Sequence, residues 1–512
     1  FATLRQYQGI SGFPAKDESP FDAFTTGHSS TAVSLALGLA CARDTMPGEK
    51  YFRVVAVIGD GSLSGGLCFE GLNNAGHLKK DILIILNTNE LSIAPNVGAL
   101  STYLNKFISL PIYNRFRNSL ENFAKSRLPK GGRLIKIANK FEEGLKGLFI
   151  PGMLFEELGF RYFGPLDGHN IQSLIPTLKN ILDIKGPVLL HVITKKGKGY
   201  APAENEPVKF HSTGPFEINT GRPKAQGVRQ KTYTEVFSNK LIELAKKNSR
   251  IVAITAAMPE GTGLDKFRDL YPERFFDVGI AEGHAICFAG GLARERLKPV
   301  VAVYSTFLQR AYDQIIESIS LQNFGIVLAI DRAGIVGEDG VTHQGIFDIV
   351  FLRSIPNLVL MAPKDGPELE AMLEFATALD KPVALRYPRA AIPESGYPGK
   401  PLEIGKAEVL KEGRDFVLIA LGSMVQASLE ATEILEREGL KGTLVNARFV
   451  KPLDINLLKA LTSQTRFIFS AEEGIVEGGF GSAVSEAIER PVIKVGLPAE
   501  FIPHGSREIL LE

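Results

Sequence analysis

The chain has 512 residues, 45% hydrophobic and 22% charged, with a formal net charge of +1. That is enough for roughly three domains of about 150 residues each, and the near-neutral balance gives no case for nucleic acid or an anionic membrane surface as partner. No uncharged apolar run reaches the ~18 residues of a membrane span, and three scattered cysteines, Cys41, Cys68 and Cys287, argue against a disulfide framework or zinc site and for a reducing compartment.

The sequence opens on Phe1 without a signal peptide and is expected to start part-way into a longer protein. His28 stands in "GHSSTA", ahead of an Ala- and Leu-rich helix. Ser29, Ser30 and Thr31 form a natural N-cap region, and helix amides there could hold a diphosphate. The first strand, Val54–Ile58, ends abruptly in Gly59-Asp60-Gly61. A crossover helix follows, and the next strand, Ile82–Leu86, ends in "NTNELSIA" with Asn89. Parallel pairing of these strands would bring Asp60 and Asn89 to one rim, where α/β folds bind ligands. A carboxylate, an amide carbonyl and a loop carbonyl make a hard oxygen site suited to magnesium. A dinucleotide fingerprint has other glycine spacing, and no Gly-Lys-Ser/Thr follows as in a P-loop. A plain strand-ending turn remains the alternative for Gly-Asp-Gly alone.

The segment 103–146 mixes Lys and Arg with Phe, Leu and Ile, and acidic residues interrupt its basic face. It is predicted to be a solvated helical insertion, with a basic membrane-surface helix as the alternative. Val188–Ile193 is the next strand, and a Gly- and Pro-rich linker runs from Gly214 to Gly227. A second block, from about Thr232 to Pro388, holds strands at Ile251–Thr255, Val300–Tyr304, Ile326–Ile330 and Leu358–Met361. Within it, Glu282 begins a helix, where an acid is favourable in any case. "DRAGIVGEDGVTHQG" gathers Arg332, Asp339 and His343 into a Gly-rich loop that must face solvent or a cleft. Arg389 follows a run ending at Arg386. A second linker, Ala391–Pro401, leads to strands at Phe416–Leu421, Gly442–Asn446 and Phe467–Ser470. Continuous apolar runs separated by helices predict an α/β fold of three domains with parallel or mostly parallel sheets, at 1–215, 228–390 and 402–512.

Gly59-Asp60-Gly61 followed by Asn89 resembles the magnesium–diphosphate motif of thiamine diphosphate enzymes. "TLRQYQGISGFPAKDESPFDAFTTGHSSTAVSLALG", "KKGKGYAPAE", "DVGIAEGHA", "YSTFLQRAYDQ", "DRAGIVGEDGVTHQGIFD" and "LRYPRA" are similar to the 1-deoxy-D-xylulose-5-phosphate synthase family, and the resemblance runs along the whole chain. It implies a diphosphate-binding domain, a pyrimidine-binding domain and a transketolase-like C-terminal domain. It also implies thiamine diphosphate with magnesium and a homodimer, cytoplasmic in a bacterium or plastid in a plant. The implied reaction joins pyruvate to D-glyceraldehyde 3-phosphate with loss of carbon dioxide. A transketolase-like two-carbon ketol transferase and a non-catalytic cofactor-binding relative are the alternatives. Family members carry a Gly-His-Gln segment ahead of "TLRQ" that this sequence lacks, and their usual C-terminal end lies beyond Glu512.

The resemblance also distributes roles. Asp60, Asn89 and the Leu91 carbonyl would hold the metal. Gly27, His28, Ser29, Ser30, Gly59, Gly61, Ser62 and Lys198 would line the cofactor. Glu282 would bond the aminopyrimidine N1′ and so help the cofactor act as its own base. Phe307 would stack on the pyrimidine, although core packing is the commoner fate of a Phe. Tyr304, Arg332, Asp339, His343 and Arg389 would meet substrate, with His343 and His28 as acid/base groups. Arg suits the phosphate because its planar fork bonds two oxygens. A surface charge serves Lys198 and His211 equally well, and a structural salt bridge serves Arg310.

Overall fold

The computed structural model of the protein describes residues 2–46, 51–89, 91, 97–108, 152–211, 213–224, 230–393 and 401–512. Most of the expected insertion at 103–146, and parts of both expected linkers, lie outside the described residues. The chain forms two compact units. One comprises Ser29–Ala225 with Gly279–Ala281, the other Phe1–His28, Gln226–Val278 and Glu282–Glu512.

The Ser29–Ala225 unit is built on four parallel strands: β1 (Val55–Gly59), β2 (Ile82–Thr88), β3 (Arg161–Asp167) and β4 (Pro187–Ile193), in the order β1-β2-β4-β3. Helix α1 (Ala32–Thr45) places Val33, Ala36, Leu37 and Ala40 on one face, the i, i+3, i+4, i+7 pattern of a buried stripe. That stripe packs with Leu72 and Ala75 of α2 (Gly66–Leu78) and with Ile58, Ile84 and Leu86 of the sheet. The expected continuous burial of the first strand does not hold. β1 is an edge strand, so Ala56 and Ile58 are buried while Val55 and Val57 are exposed. β3 escapes the sequence reading because Gly164-Pro165 interrupts it, a pair that an edge strand tolerates and a central strand does not.

In the other unit, a seven-stranded sheet contains β5 (Ile251–Thr255), β6 (Phe275–Asp277), β7 (Lys298–Tyr304), β8 (Val327–Asp331), β9 (Val359–Met361) and β10 (Val383–Arg386). A five-stranded sheet contains β11 (Glu408–Lys411), β12 (Phe416–Ala420), β13 (Gly442–Asn446), β15 (Phe467–Ile475) and β16 (Ile493–Leu497). The short strand β14 (Phe449–Lys451) leaves the third sequence block and pairs antiparallel with β9, completing the order β14-β9-β10-β8-β7-β5-β6. β11–β13 is the other antiparallel pair among the described strands.

Residues of β7 explain why these strands read as unbroken apolar runs. Val301 and Val303 pack in one core with Ala285, Ile286 and Ala289 of α3 (Glu282–Arg294). Val300 and Ala302 pack in another with Leu369, Met372 and Leu373 of α4 (Gly366–Ala378). Both faces are covered, so alternation is lost.

Buried ions tie the second and third sequence blocks together. Arg448 Nε donates to Glu368 Oε1 at 2.8 Å and Nη2 to Glu408 Oε2 at 3.0 Å, and all three side chains are almost wholly excluded from solvent. Burial pushes the Glu368 carboxyl up, and Lys364 and Arg448 pull it back. Removing one partner leaves charge stranded in a medium that solvates it badly. Arg448→Met is therefore expected to lower stability by about 3–5 kcal/mol, read as an earlier midpoint in urea unfolding; an unchanged midpoint would show that water reaches the cluster.

Candidate active site

β1 and β2 pair in parallel with Gly59 opposite Asn87, so both chains leave the sheet at the same rim. Asp60 is buried there. Its Oδ1 accepts from the Gly61 N–H at 2.9 Å and its Oδ2 from the Asn89 N–H at 3.1 Å. These two donors fix the carboxylate beside Asn89, whose side-chain oxygen accepts from the Leu91 N–H at 3.1 Å. A Cβ on Gly59 would meet nothing within 4 Å. The glycine therefore leaves open space next to a fixed carboxylate. That cradle, with the hard oxygens of Asp60, Asn89 and Leu91, fits magnesium and the diphosphate it would carry.

Ser30 departs from the expected capping role. Its backbone lies in the left-handed region (φ 73°), and its hydroxyl donates to the Ser62 carbonyl at 2.7 Å. The N-cap of α1 is Thr31, which makes no side-chain cap bond. The Ser30 hydroxyl thus braces the 60–63 turn instead of satisfying a helix amide. Lys198 is exposed on a turn. The lysine in electrostatic reach of Asp60 is Lys196, whose ammonium also contacts His211 Nδ1. Burial holds the Lys196 pKa down, and the Asp60 charge partly restores it. The run "KKGKGY" supplies three lysines, and only the turn geometry tells them apart.

In the other unit, Glu282 is the first residue of α3 and is buried. Arg310 Nε lies 3.6 Å from its Oε2, the salt bridge weighed for that arginine. Burial raises the Glu282 pKa, and the Arg310 charge opposes the rise without cancelling it. Phe307 is half-buried, packs on the core beneath the sheet, and stacks with Tyr304 at 5.7 Å and 13° between planes. His28 and His343 meet Phe307 edge-on at 5.0 and 5.5 Å.

His28 Nε2 lies 2.7 Å from the Thr342 carbonyl and 3.0 Å from Thr306 Oγ1. A carbonyl only accepts, so Nε2 carries the proton. A Cβ on Gly27 would collide with the Thr342 side chain, which is why glycine precedes this histidine. Gly27 and His28 thus belong with the 342–343 segment, while Ser29 and Ser30 belong to the other unit. His343 Nδ1 is 2.9 Å from Thr342 Oγ1, and its ring stacks on Phe13 at 4.5 Å. Burial lowers the pKa of both histidines. Arg310 adds to the effect at His28, and at His343 the Asp339 charge opposes it.

Tyr304, Arg332, Asp339 and Arg389 surround the same loop. Arg332 has a left-handed backbone (φ 58°) that turns its side chain back toward the sheet. Its guanidinium stacks 3.8 Å from the Tyr304 ring centroid, donates to the Gly261 carbonyl at 2.8 Å, and pairs with the fully buried Asp331 at 3.0 Å. Burial and the neighbouring Asp331 push the Tyr304 hydroxyl up to about 12, against the pull of Arg332. Arg389, half-exposed, lies 3.8 Å from Asp339. Asp339 also accepts from Arg5, a residue the sequence reading did not single out. Arg5 and Phe13 lie in the opening "TLRQYQGISGFP", and nothing local marks residues whose partners lie more than 300 positions away.

Comparison with known proteins gives three consecutive matches. Residues 1–194 match the family model described as 1-deoxy-D-xylulose-5-phosphate synthase. Residues 229–394 match the transketolase pyrimidine binding domain and 405–512 the transketolase C-terminal domain. The 1-deoxy-D-xylulose-5-phosphate synthase of Caldanaerobacter subterraneus subsp. tengcongensis is 51% identical over 518 residues, covering 100% of this chain and 83% of that protein. The enzyme of the same name from Carboxydothermus hydrogenoformans is 53% identical, covering 100% of this chain and 82% of that protein. Among solved structures, a split-gene transketolase described as an inactive β4 tetramer matches with 34% identity and a TM-score of 0.50. It covers 53% of this chain and 91% of its own.

Two outcomes test the site. Asp60→Ala should abolish metal-dependent binding of thiamine diphosphate in calorimetric titration while the fold survives; undiminished binding would remove Asp60 from the metal site. For the histidines, folded-state pKa values depressed by burial mean that the neutral rings contribute stability near neutrality, lost as pH falls through those values. NMR titration should place the His28 and His343 midpoints below 6.5, the ordinary value. Midpoints at or above it would show that water or a carboxylate governs the pair.

Proposed function

The chain belongs to the 1-deoxy-D-xylulose-5-phosphate synthase family, and from that membership we propose how its residues divide the labour of the family's reaction. The enzyme is a thiamine diphosphate-dependent transferase that condenses pyruvate with D-glyceraldehyde 3-phosphate, releasing carbon dioxide and giving 1-deoxy-D-xylulose 5-phosphate. The product feeds isoprenoid synthesis. When bound with a divalent metal such as magnesium, thiamine diphosphate supplies the electron sink that lets a 2-oxo acid lose carbon dioxide and join an aldehyde.

The residues carry the remaining work. Asp60, Asn89 and the Leu91 carbonyl would hold the metal, with Gly59, Gly61, Ser62 and Ser30 shaping the turn around the diphosphate. The uncapped amides of α1 add positive potential suited to its charge. Lys196 replaces Lys198 as the lysine assigned near the diphosphate. Glu282 is the observation that carries the reading. A carboxyl buried at a helix start, with its pKa raised, keeps its proton into a higher pH range than a solvated acid does. It can therefore donate a hydrogen bond to the pyrimidine N1′. Phe307 offers the pyrimidine an aromatic face, and Tyr304 supports it from behind. His28 and His343, whose pKa values burial lowers, can accept or relay protons of the substrates. Arg389 and Arg332 would bind the acceptor phosphate, with Asp339 holding Arg389 in the absence of substrate.

Domains at 1–215, 228–390 and 402–512, a homodimer and a cytoplasmic location complete the proposal. The three consecutive family-model matches support the first, although residues 1–28 pack with the later part of the chain. Among the described residues no helix is long and apolar enough to cross a membrane.

The two arginines make unequal test positions. Arg332→Ala strands a fully buried Asp331 and should cost stability along with activity. Arg389 is half-exposed, and among the described residues a single long ion pair, to Asp339, holds it. A charge-assisted hydrogen bond contributes roughly 1.5–3 kcal/mol, so Arg389→Ala should weaken glyceraldehyde 3-phosphate binding about tenfold or more. It should spare unphosphorylated glyceraldehyde, pyruvate and the melting temperature. Equal losses for the two aldehydes in steady-state kinetics would remove Arg389 from the phosphate site.

A further inference from the structure

Glu473 lies on β15 in the third sequence block and is 2% exposed. No role in the reaction attaches to it, yet its carboxylate reaches into the loop of the second block that carries Arg332, Asp339 and His343. Its Oε1 accepts from the Ile335 N–H at 2.8 Å. Its Oε2 accepts from the Ser423 hydroxyl and from Arg507 Nη2, each at 2.6 Å. Even its backbone carbonyl is engaged, taking a 3.0 Å bond from Arg386 Nη2, whose Nε is held at 2.9 Å by the fully buried Asp348.

The loop closes on itself at the same place. Gly334 and Gly345 exchange backbone hydrogen bonds of 2.7 and 2.8 Å, forming a neck. Gly334 has φ 86°, and a Cβ there would collide with the Glu473 carboxyl. Glycine is thus required at the neck by both backbone and neighbour. Beyond the neck, Gln344 Oε1 accepts from the Val336 N–H at 2.7 Å, and its amide donates to the Pro503 carbonyl at 3.1 Å. The Gly505 N–H also donates to the Gly337 carbonyl at 3.4 Å, so the loop draws its shape from the C-terminal block at Glu473, Pro503 and Gly505, and Glu473 is the charged one. Every group facing its carboxylate is a donor. An ionised carboxylate accepts only, whereas an amide in its place would aim N–H at N–H.

We propose that Glu473 is a positioning residue for the condensation. It fixes the neck of the 332–345 loop so that Arg332, Asp339 and His343 are presented to the acceptor aldehyde in one geometry. The inference rests on the reading of that loop as substrate-binding. It makes the C-terminal block, which supplies none of the groups assigned to substrate, a determinant of acceptor affinity.

The experiment uses the holoenzyme with magnesium and thiamine diphosphate. Glu473→Gln should raise KM for glyceraldehyde 3-phosphate about tenfold, with proton exchange at C2 of the bound cofactor unchanged. Glu473→Asp, which keeps the acceptor charge, should recover part of the loss, and Ser423→Ala, which leaves the carboxylate in place, should stay near wild type. A folded Glu473→Gln enzyme with wild-type KM overturns the proposal. So does an equal loss of aldehyde affinity and C2 exchange, which marks a general structural fault. If Glu473→Gln does not fold, Gly334→Ala disturbs the same neck from the loop side, and wild-type KM there is equally fatal. His343→Ala and Arg389→Ala separate the two levels. Wild-type kinetics in both would overturn the substrate-loop reading and the inference with it. Losses in both beside an unaffected Glu473→Gln would overturn the inference alone.

Discussion

Parallel strand pairing is the constraint on which the functional arrangement depends. Parallel neighbours deliver their carboxyl ends to one side of a sheet, so residues distant in sequence leave at a common rim. Asp60 follows β1, Asn89 follows β2, and Lys196 follows β4, with β2 between the other two. In the seven-stranded sheet, β6, β5, β7, β8 and β10 are successive parallel neighbours. Glu282 follows β6, Phe307 follows β7, Arg332 follows β8 and Arg389 follows β10. Each sheet thus provides a single line of chemistry, and a slip in pairing would scatter it.

Burial then sets the ionisation of what the rims present. A partly desolvated carboxyl with one cation at 3.6 Å, Glu282, keeps its proton more readily than a surface acid. The same desolvation lowers the pKa of His28 and His343. Other buried carboxylates each face a guanidinium: Asp331 meets Arg332 at 3.0 Å, Asp348 meets Arg386 at 2.9 Å, and Glu473 meets Arg507 at 2.6 Å. Glu473 belongs to this paired set, yet it also bonds the loop that carries Arg332, Asp339 and His343.

Much of this was legible in the sequence. Doubly covered strands show as unbroken apolar runs, so Ile251–Thr255 and Gly442–Asn446 agree with the structure to the residue. The Asp60–Asn89 rim followed from one βαβ unit, because both ends of the inference were local. Edge strands were harder. β3 carries Gly-Pro, β14 is three residues long and joins the sheet of the preceding block, and β1 exposes a face that its composition suggests is buried. Roles set by rotamer or by distant contact left no local mark. Lys196 and Lys198 differ in which way a turn points them, Ser30 reaches Ser62 and leaves its helix uncapped, and Arg5 meets Asp339 across most of the chain.

The central claim is that Glu282, buried at a sheet rim with its pKa raised by that burial, activates the cofactor this family uses. Proton–deuterium exchange at C2 of bound thiamine diphosphate, followed by NMR in wild type and in Glu282→Ala, tests it most directly. Because a positioned proton-transfer group is worth about 10²–10⁴-fold, Glu282→Ala should bind the cofactor yet exchange the C2 proton slower by that factor. Exchange at the wild-type rate in the variant would contradict the claim and assign activation to another group.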